Sequence, residues 1–452
     1  VFNHFRVELP QIELDLPPIV LDAFTQAQVV SARFFNWAHL WMPFISKPKW
    51  EIQLTGPFSR PRTDVKLLLF AMKLLLWSPG CDRESRDPTT TDYLTIKTLL
   101  SRAESAGILS LEMLQATALL TIYEYSHAIY PAAYVSIGTC IRYSQALGID
   151  KQRRQDIDAD NFGLEEQEER RRVWWAIIIL DRVISRSHTG PDPRPDDLLP
   201  VHDHEWDGGN ISPKRIYQVS EPSCTEMGMF ARLAQAAFLL GRVYRWKNHP
   251  TGDIEFDHAE KLQLEMSLRV LINLTYVEGS ERLMLMCSQI ALCFNALVTL
   301  HTEEDNLAVQ APGLCTTPTT SSASTGHCGV ETPGVAAAGT LQSLWAVAQE
   351  SSMNTILLYK QEPGLLEKSS PLLLHWTYNI AVTFIRVGNV MRANQELYPA
   401  NSPQRQQISE LLRESKEGLE VMKQKLLLVG KQWVAADAYM DILSARETAN
   451  MS

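Results

Sequence analysis

Residues 164–182 read Leu-Glu-Glu-Gln-Glu-Glu-Arg-Arg-Arg-Val-Trp-Trp-Ala-Ile-Ile-Ile-Leu-Asp-Arg. The segment is charged first and then strongly apolar. At 3.6 residues per turn, Val173, Ile177, Leu180 and Ile184 share one face. Trp174 and Ile178 lie on a second face, and Trp175 and Ile179 on a third. A helix that is apolar on every side belongs in the middle of a core. A buried strand of eight residues satisfies the same apolar run. The glutamates at the start decide for the helix, because negative charge suits the positive end of a helix dipole. The patterns on both sides are helical as well, so the fold class is read as all-α.

Upstream, an amphipathic stretch between Leu21 and Ile45 carries Phe24, Phe34, Phe35, Trp37 and Trp41. Asp64 to Trp77 is nearly all Leu, Phe and Met, and Pro79-Gly80 stops it. Leu111, Leu114, Ala118, Ile122 and Tyr125 step by three or four. Pro131 opens another helix, which Gly148 ends. Downstream, Gly190 to Pro200 holds four prolines and is read as a loop. Helical patterns follow at about 222–248, 256–276, 280–302, 341–360, 370–396 and 403–430. Residues 303–340 are rich in Thr, Ser, Pro, Gly and Ala and lack Lys and Arg, which reads as a disordered linker or long surface insertion. The organisation expected is a lead-in at 1–20, a helical core at 21–302, the insertion at 303–340 and a C-terminal helical part at 341–452 that packs on the core.

The chain has 452 residues, 45% of them hydrophobic and 21% charged. That is the balance of a folded protein with a sizeable core. Its 42 Lys and Arg against 52 Asp and Glu give a formal charge of −10. Such a chain does not hold DNA through a general positive field. Seven cysteines with no Cys-x-x-Cys pair read as free thiols in a reducing compartment. The uncharged run Leu283–Thr302 contains Ser288, Gln289 and Asn295, so it is read as a core helix and no membrane contact is expected. The first residue is Val1 and no signal peptide follows. The expectation is a processed chain or a piece of a longer protein.

Glycine-rich phosphate loops, His-Glu-x-x-His and Gly-x-Ser-x-Gly are all absent. Asp156, Asp158, Asp160 and Asn161 resemble the start of a calcium loop, but its twelfth position is Gln167, where a bidentate Glu is needed. A solvated acidic loop is the better reading. His202-Asp203-His204-Glu205 offers metal-ligating types without a third ligand, and it is read as a polar loop. Asp196-Asp197 lacks the further aspartate that a diphosphate site needs. Arg170, Arg171 and Arg172 follow four glutamates and are expected to pair with carboxylates rather than with phosphate. Asp181 and Arg182 are expected to pair with other helices. No catalytic, cofactor or metal residue is assigned in this chain, and no enzyme is expected.

The run Arg170-Arg171-Arg172-Val173-Trp174-Trp175 … Asp181-Arg182, with the proline-rich loop ending Leu198-Leu199-Pro200, resembles the signature of the fungal-specific transcription factor domain. This is the middle homology, regulatory region of fungal zinc-cluster transcription factors. Leu111–Glu124 and Tyr130–Ile149 are similar to two upstream helices of the family, and the likeness covers roughly residues 20–300. It implies a large multi-helix regulatory domain that acts in the nucleus on RNA polymerase II transcription, in many members at secondary-metabolism genes. It further implies DNA binding by an N-terminal cluster of six cysteines holding two zinc ions, and often a homodimer. Co-regulators or a small-molecule effector are the partners implied for the domain itself. By the resemblance, Arg170, Arg171, Arg172, Trp174, Trp175, Asp181, Arg182 and Pro200 are structural signature positions. Two departures stand out. The family's Gly-Arg-Pro appears as Gly190-Pro-Asp-Pro-Arg194-Pro195, and the zinc cluster is absent from this chain. The cluster is expected upstream of Val1; a homologue without a cluster, acting as a helical ligand- or protein-binding scaffold, is the alternative.

Overall fold

Thr90, Ser110 and Ser402 each stop short of the helical conformation and accept a bond from the backbone N–H three residues on, at 3.2 Å. That satisfies an N–H that the first helical turn leaves without a partner. Pro403 follows Ser402 as the first helical residue, where its missing N–H costs nothing. The structure is a computed structural model that describes residues 14–55, 62–80, 82, 85–149, 163–186, 190–209, 211, 216–277, 287–302, 342–353, 356 and 369–449.

The helices run α1 (Pro18–Thr25), α2 (Ala27–Phe35), a 3-10 turn (Ala38–Leu40), α3 (Lys47–Thr55), α4 (Thr63–Leu75), α5 (Thr91–Ser105), α6 (Leu111–Ser126), α7 (Ala132–Ala146) and α8 (Leu164–Ile184). They continue as α9 (Asp203–Asp207), α10 (Met229–Asn248), α11 (Ile254–Val277), α12 (Cys287–His301), α13 (Leu373–Gln395), α14 (Pro403–Val429) and α15 (Ala435–Ala449). Residues 342–353 are helical too. Among the described residues the one β feature is an isolated antiparallel bridge between Leu198 and Gln218. The fold is all-α.

Several boundaries differ from the sequence reading. The 21–45 stretch divides into two helices and a turn, with Gln26 between the helices. The helix expected from 222 starts at Met229, because Gly228 is extended and forms its N-cap. Pro131 is the N-cap of α7 rather than its first residue, and Gly148 takes a positive φ just beyond the helix end. Residues 202–205 form the start of α9 rather than a loop. The acidic 156–161 segment and residues 303–340 lie outside the described residues.

Packing is a succession of neighbours. Helix α6 lies against α4 and α7, α7 against α8, α8 against α10, and α10 against α11 and α12. Helix α12 then meets α13, which pairs with α14 and α15. One continuous apolar cluster extends through them from Leu16 to Leu443. Every residue of α6 is buried, although its apolar positions alone define a single face. The polar members complete themselves locally: Thr117 and Thr121 donate to carbonyls four residues back.

The two ends of the described chain meet at Trp433, whose ring stacks on Trp37 with centroids 5.3 Å apart. His127 is wedged among Trp433, Trp77 and Tyr123, and accepts the Val434 N–H at Nδ1. Burial, with Arg86 adding to it, pushes the His127 pKa down to about 3. Burial and then Arg186 do the same for His375, to about 3. Both rings therefore stay neutral when folded, while the unfolded chain protonates them near pH 6.5. Stability is expected to be level above that pH and to fall steadily from pH 6.5 towards pH 3. Urea unfolding of the wild type and of His127→Gln across this window checks the prediction. The variant's curve should be the flatter one, and equal slopes would assign the acid sensitivity to other groups.

Candidate functional site

The charged side chains at the ends of α8 are bonded to several segments of the chain. Glu168 is fully buried, and Arg171 forms an ion pair with it. Its Oε1 accepts from Arg172 Nε at 2.9 Å and from the Val201 N–H at 2.9 Å. Arg172, equally buried, donates from Nη1 to Pro43 O and Asp203 Oδ1, each at 3.0 Å, and from Nη2 to Val201 O at 2.8 Å. The Trp206 ring lies 4.9 Å from its guanidinium carbon. Asp203 Oδ2 in turn accepts the Phe230 N–H at the start of α10. Buried charges persist only when paired and hydrogen-bonded in this way. One guanidinium thus ties α8 to the segment before α3, to the loop after it and to α9.

Glu169 faces the other side. It accepts from Ser46 N, Gln115 Nε2 and Lys49 Nζ at 3.1, 2.9 and 2.8 Å. Burial works against the Lys49 ammonium, but Glu169 and Glu112 outweigh it and its pKa is raised. Arg170 reaches Leu147 O at 2.7 Å, a cation on the last carbonyls of α7.

At the far end, Arg182 pairs with its neighbour Asp181 at 2.5 Å and with Asp192 of the loop at 2.7 Å. The sequence reading expected partners on other helices. For Arg182 a loop carboxylate serves, because the chain turns back over the end of α8, and Asp192 also takes Arg245 of α10 at 2.5 Å. Trp174 and Trp175 are both fully buried, and Trp175 Nε1 donates to Leu198 O at 2.8 Å. Pro200 is buried two residues beyond that carbonyl.

The other candidates do not assemble. His202 caps α9 by accepting the His204 N–H at 3.2 Å, while His204 is exposed. Asp197 closes its own turn with the Arg194 N–H at 2.7 Å, and Asp196 is exposed. No group of three metal-ligating side chains occurs among the described residues, and no described helix is long and apolar enough to cross a membrane.

The sequence reading missed the partners Pro43 and Ser46, the arginine partner of Asp203, and the close approach at Gly228. Gly228 carried a signal. A Cβ there would sit 3.0 Å from Asp203 N and 3.1 Å from His202 Cα. Gly228→Ala is expected to cost about 1–3 kcal/mol, because backbone must move. Its urea midpoint checks this, beside Gly163→Ala, where a Cβ meets nothing within 4 Å.

The family model described as fungal specific transcription factor domain matches residues 32–252, which contain this whole network. A curated protein called transcription factor BOA15, from Botryotinia fuckeliana strain B05.10, is 36% identical over 140 residues, covering 31% of this chain and 76% of that protein. The chain belongs to the fungal-specific transcription factor domain family. It is thus a domain of fungal transcription regulators, and α8 with its loop lies within the matched residues. No solved structure matches the chain.

Proposed function

We propose that this chain is the regulatory, middle homology region of a zinc-cluster transcription factor that acts in the nucleus on RNA polymerase II transcription. Its task there is to transmit the binding of a small-molecule effector or a co-regulator to the activity of the whole factor, with secondary-metabolism genes as targets. DNA contact falls to an upstream cluster of six cysteines with two zinc ions. The observation that carries the reading is the family match over residues 32–252 on an all-α chain of net charge −10. The acidic balance supports giving DNA contact to another segment. The signature side chains are engaged with one another, which fits a scaffold rather than a reaction centre.

The test is salt-dependent DNA binding by this chain beside a version extended upstream to the natural start. The extended version should bind, with zinc, and with an affinity that falls linearly as the logarithm of salt rises. The present chain alone should not bind at physiological salt. Failure of both to bind removes the DNA arm and leaves a helical scaffold that binds a ligand or protein.

A further inference from the structure

A cavity of about 60 Å³ opens beside the signature network, under the Ala38–Leu40 turn and between α9, α10 and α12. At roughly 15 Å³ for each water-sized occupant, it holds a group of only a few heavy atoms. Trp41, Phe230 and Leu233 supply apolar walls, and His39, Asp207 and Gln289 supply the polar ones. Three of these residues are more than nine-tenths buried, yet each has a polar atom without a hydrogen-bond partner among the described residues: His39 Nδ1, Trp41 Nε1 and Gln289 Oε1. Buried polar atoms without partners are rare and costly, and a cluster of them on one cavity asks for an occupant.

Their chemistry defines that occupant. Gln289 Nε2 donates to Leu271 O at 3.1 Å and to Thr275 Oγ1 at 2.9 Å, so Oε1 is left as an acceptor. His39 Nε2 is 2.9 Å from Asp207 Oδ1. The Asp207 carboxylate is half exposed and keeps its other oxygen free of any described partner. Burial works to raise its pKa, but the bond to His39 and the charges of His39, Arg172 and Lys47 outweigh it, so it is held ionised. Two acceptors, the Asp207 carboxylate and Gln289 Oε1, therefore line the cavity with the Trp41 N–H as a donor. An ammonium has three N–H donors and no acceptor, and it is attracted to aromatic faces.

We propose that this cavity is an effector site for a small protonated primary amine. The ammonium is held by Asp207 and Gln289 Oε1, and its short apolar body lies against Phe230 and Leu233. The site deepens the regulatory reading above and rests on it for its purpose. Asp203, which also lines the cavity, is bonded to Arg172 and to the start of α10. Occupancy is thereby connected to the signature helix through one carboxylate.

The experiment titrates the whole chain with propylamine and ethanolamine, and with propan-1-ol and propionate as the neutral and anionic counterparts, by ligand-observed NMR and thermal shift. The amines should saturate with Kd near about 1 mM, in keeping with a ligand of four heavy atoms. The alcohol and the carboxylate should bind at least about tenfold more weakly. Asp207→Asn should weaken amine binding about tenfold or more, with its urea midpoint measured alongside to show that the variant is folded. Trp41→Phe should leave amine affinity within about threefold, since it removes a donor that an ammonium cannot use and keeps an aromatic wall. No saturable amine binding, equal binding of propionate, or indifference to Asp207→Asn would overturn the site. A reporter driven by the extended factor separates the two readings. A reporter that depends on this domain in a protein that binds no amine keeps the regulatory reading and removes the site. Amine binding lost in Asp207→Asn, with a reporter indifferent to the domain, keeps the site and removes its regulatory purpose.

Discussion

Glu168→Ala is expected to lower the unfolding free energy by about 3–5 kcal/mol, the cost of leaving buried charge without its partner. The carboxylate is fully buried and serves Arg171, Arg172 and the Val201 N–H together. Its removal strands Arg171, which is itself buried, and leaves Arg172 with Asp203 and two carbonyls. Replacing both charges is a different experiment. Glu168→Met with Arg172→Met removes attraction and desolvation together, so the pair should cost clearly less than the sum of the two single changes. The loss would not be zero, because Pro43, Val201 and Asp203 lose their donor. Urea unfolding of the four proteins of this cycle measures the coupling. A single-variant loss below about 1 kcal/mol would place Glu168 with ordinary surface carboxylates, against its burial.

The sequence carried the apolar half of this helix and, in the polar half, the pairing of Arg171 and Arg172 with carboxylates, but not the burial of that half. Val173 to Leu180 is apolar in every direction, and such a segment has one place to go in an all-α protein. The glutamates were read through the helix dipole, which is a surface effect of the first turn. Glu168 and Glu169 instead sit in the core, because three chain-distant segments converge on them: Pro43–Ser46 before α3, Val201–Asp203 after the loop, and Gln115 of α6. Periodicity is blind to such partners, since nothing local in residues 43–46 announces a carbonyl aimed at Arg172. The cavity was illegible for the same reason. His39, Asp207 and Gln289 are far apart in the chain, and each looks ordinary alone. Asp203 shows the mixed case: its neighbourhood was read as a polar loop, and the fold makes it the start of a helix with an arginine as partner.

Trp174 and Trp175 are adjacent, both fully buried, and indistinguishable in the sequence. The structure separates them by one hydrogen atom. Trp175 donates its indole N–H to Leu198 O, whereas Trp174 Nε1 has no partner among the described residues. Either tryptophan replaced by alanine should cost about 3–5 kcal/mol, since each leaves a large hole in a packed core. Phenylalanine gives the sharper result. Both Phe variants lose the same volume of indole, so packing loss is similar in the two. Only Trp175→Phe also leaves a buried carbonyl without its donor, an added cost of about 1–3 kcal/mol. Leu198 lies in the loop that carries the Gln218 bridge, buried Pro200 and Val201, whose backbone holds both Glu168 and Arg172. Loss of that bond should therefore be felt beyond its own site. Hydrogen exchange of the Leu199 and Val201 amides should quicken in Trp175→Phe and stay unchanged in Trp174→Phe. Equal exchange in the two variants would mean that the loop is held by the Glu168–Arg172 network alone, with the indole bond adding nothing to its position.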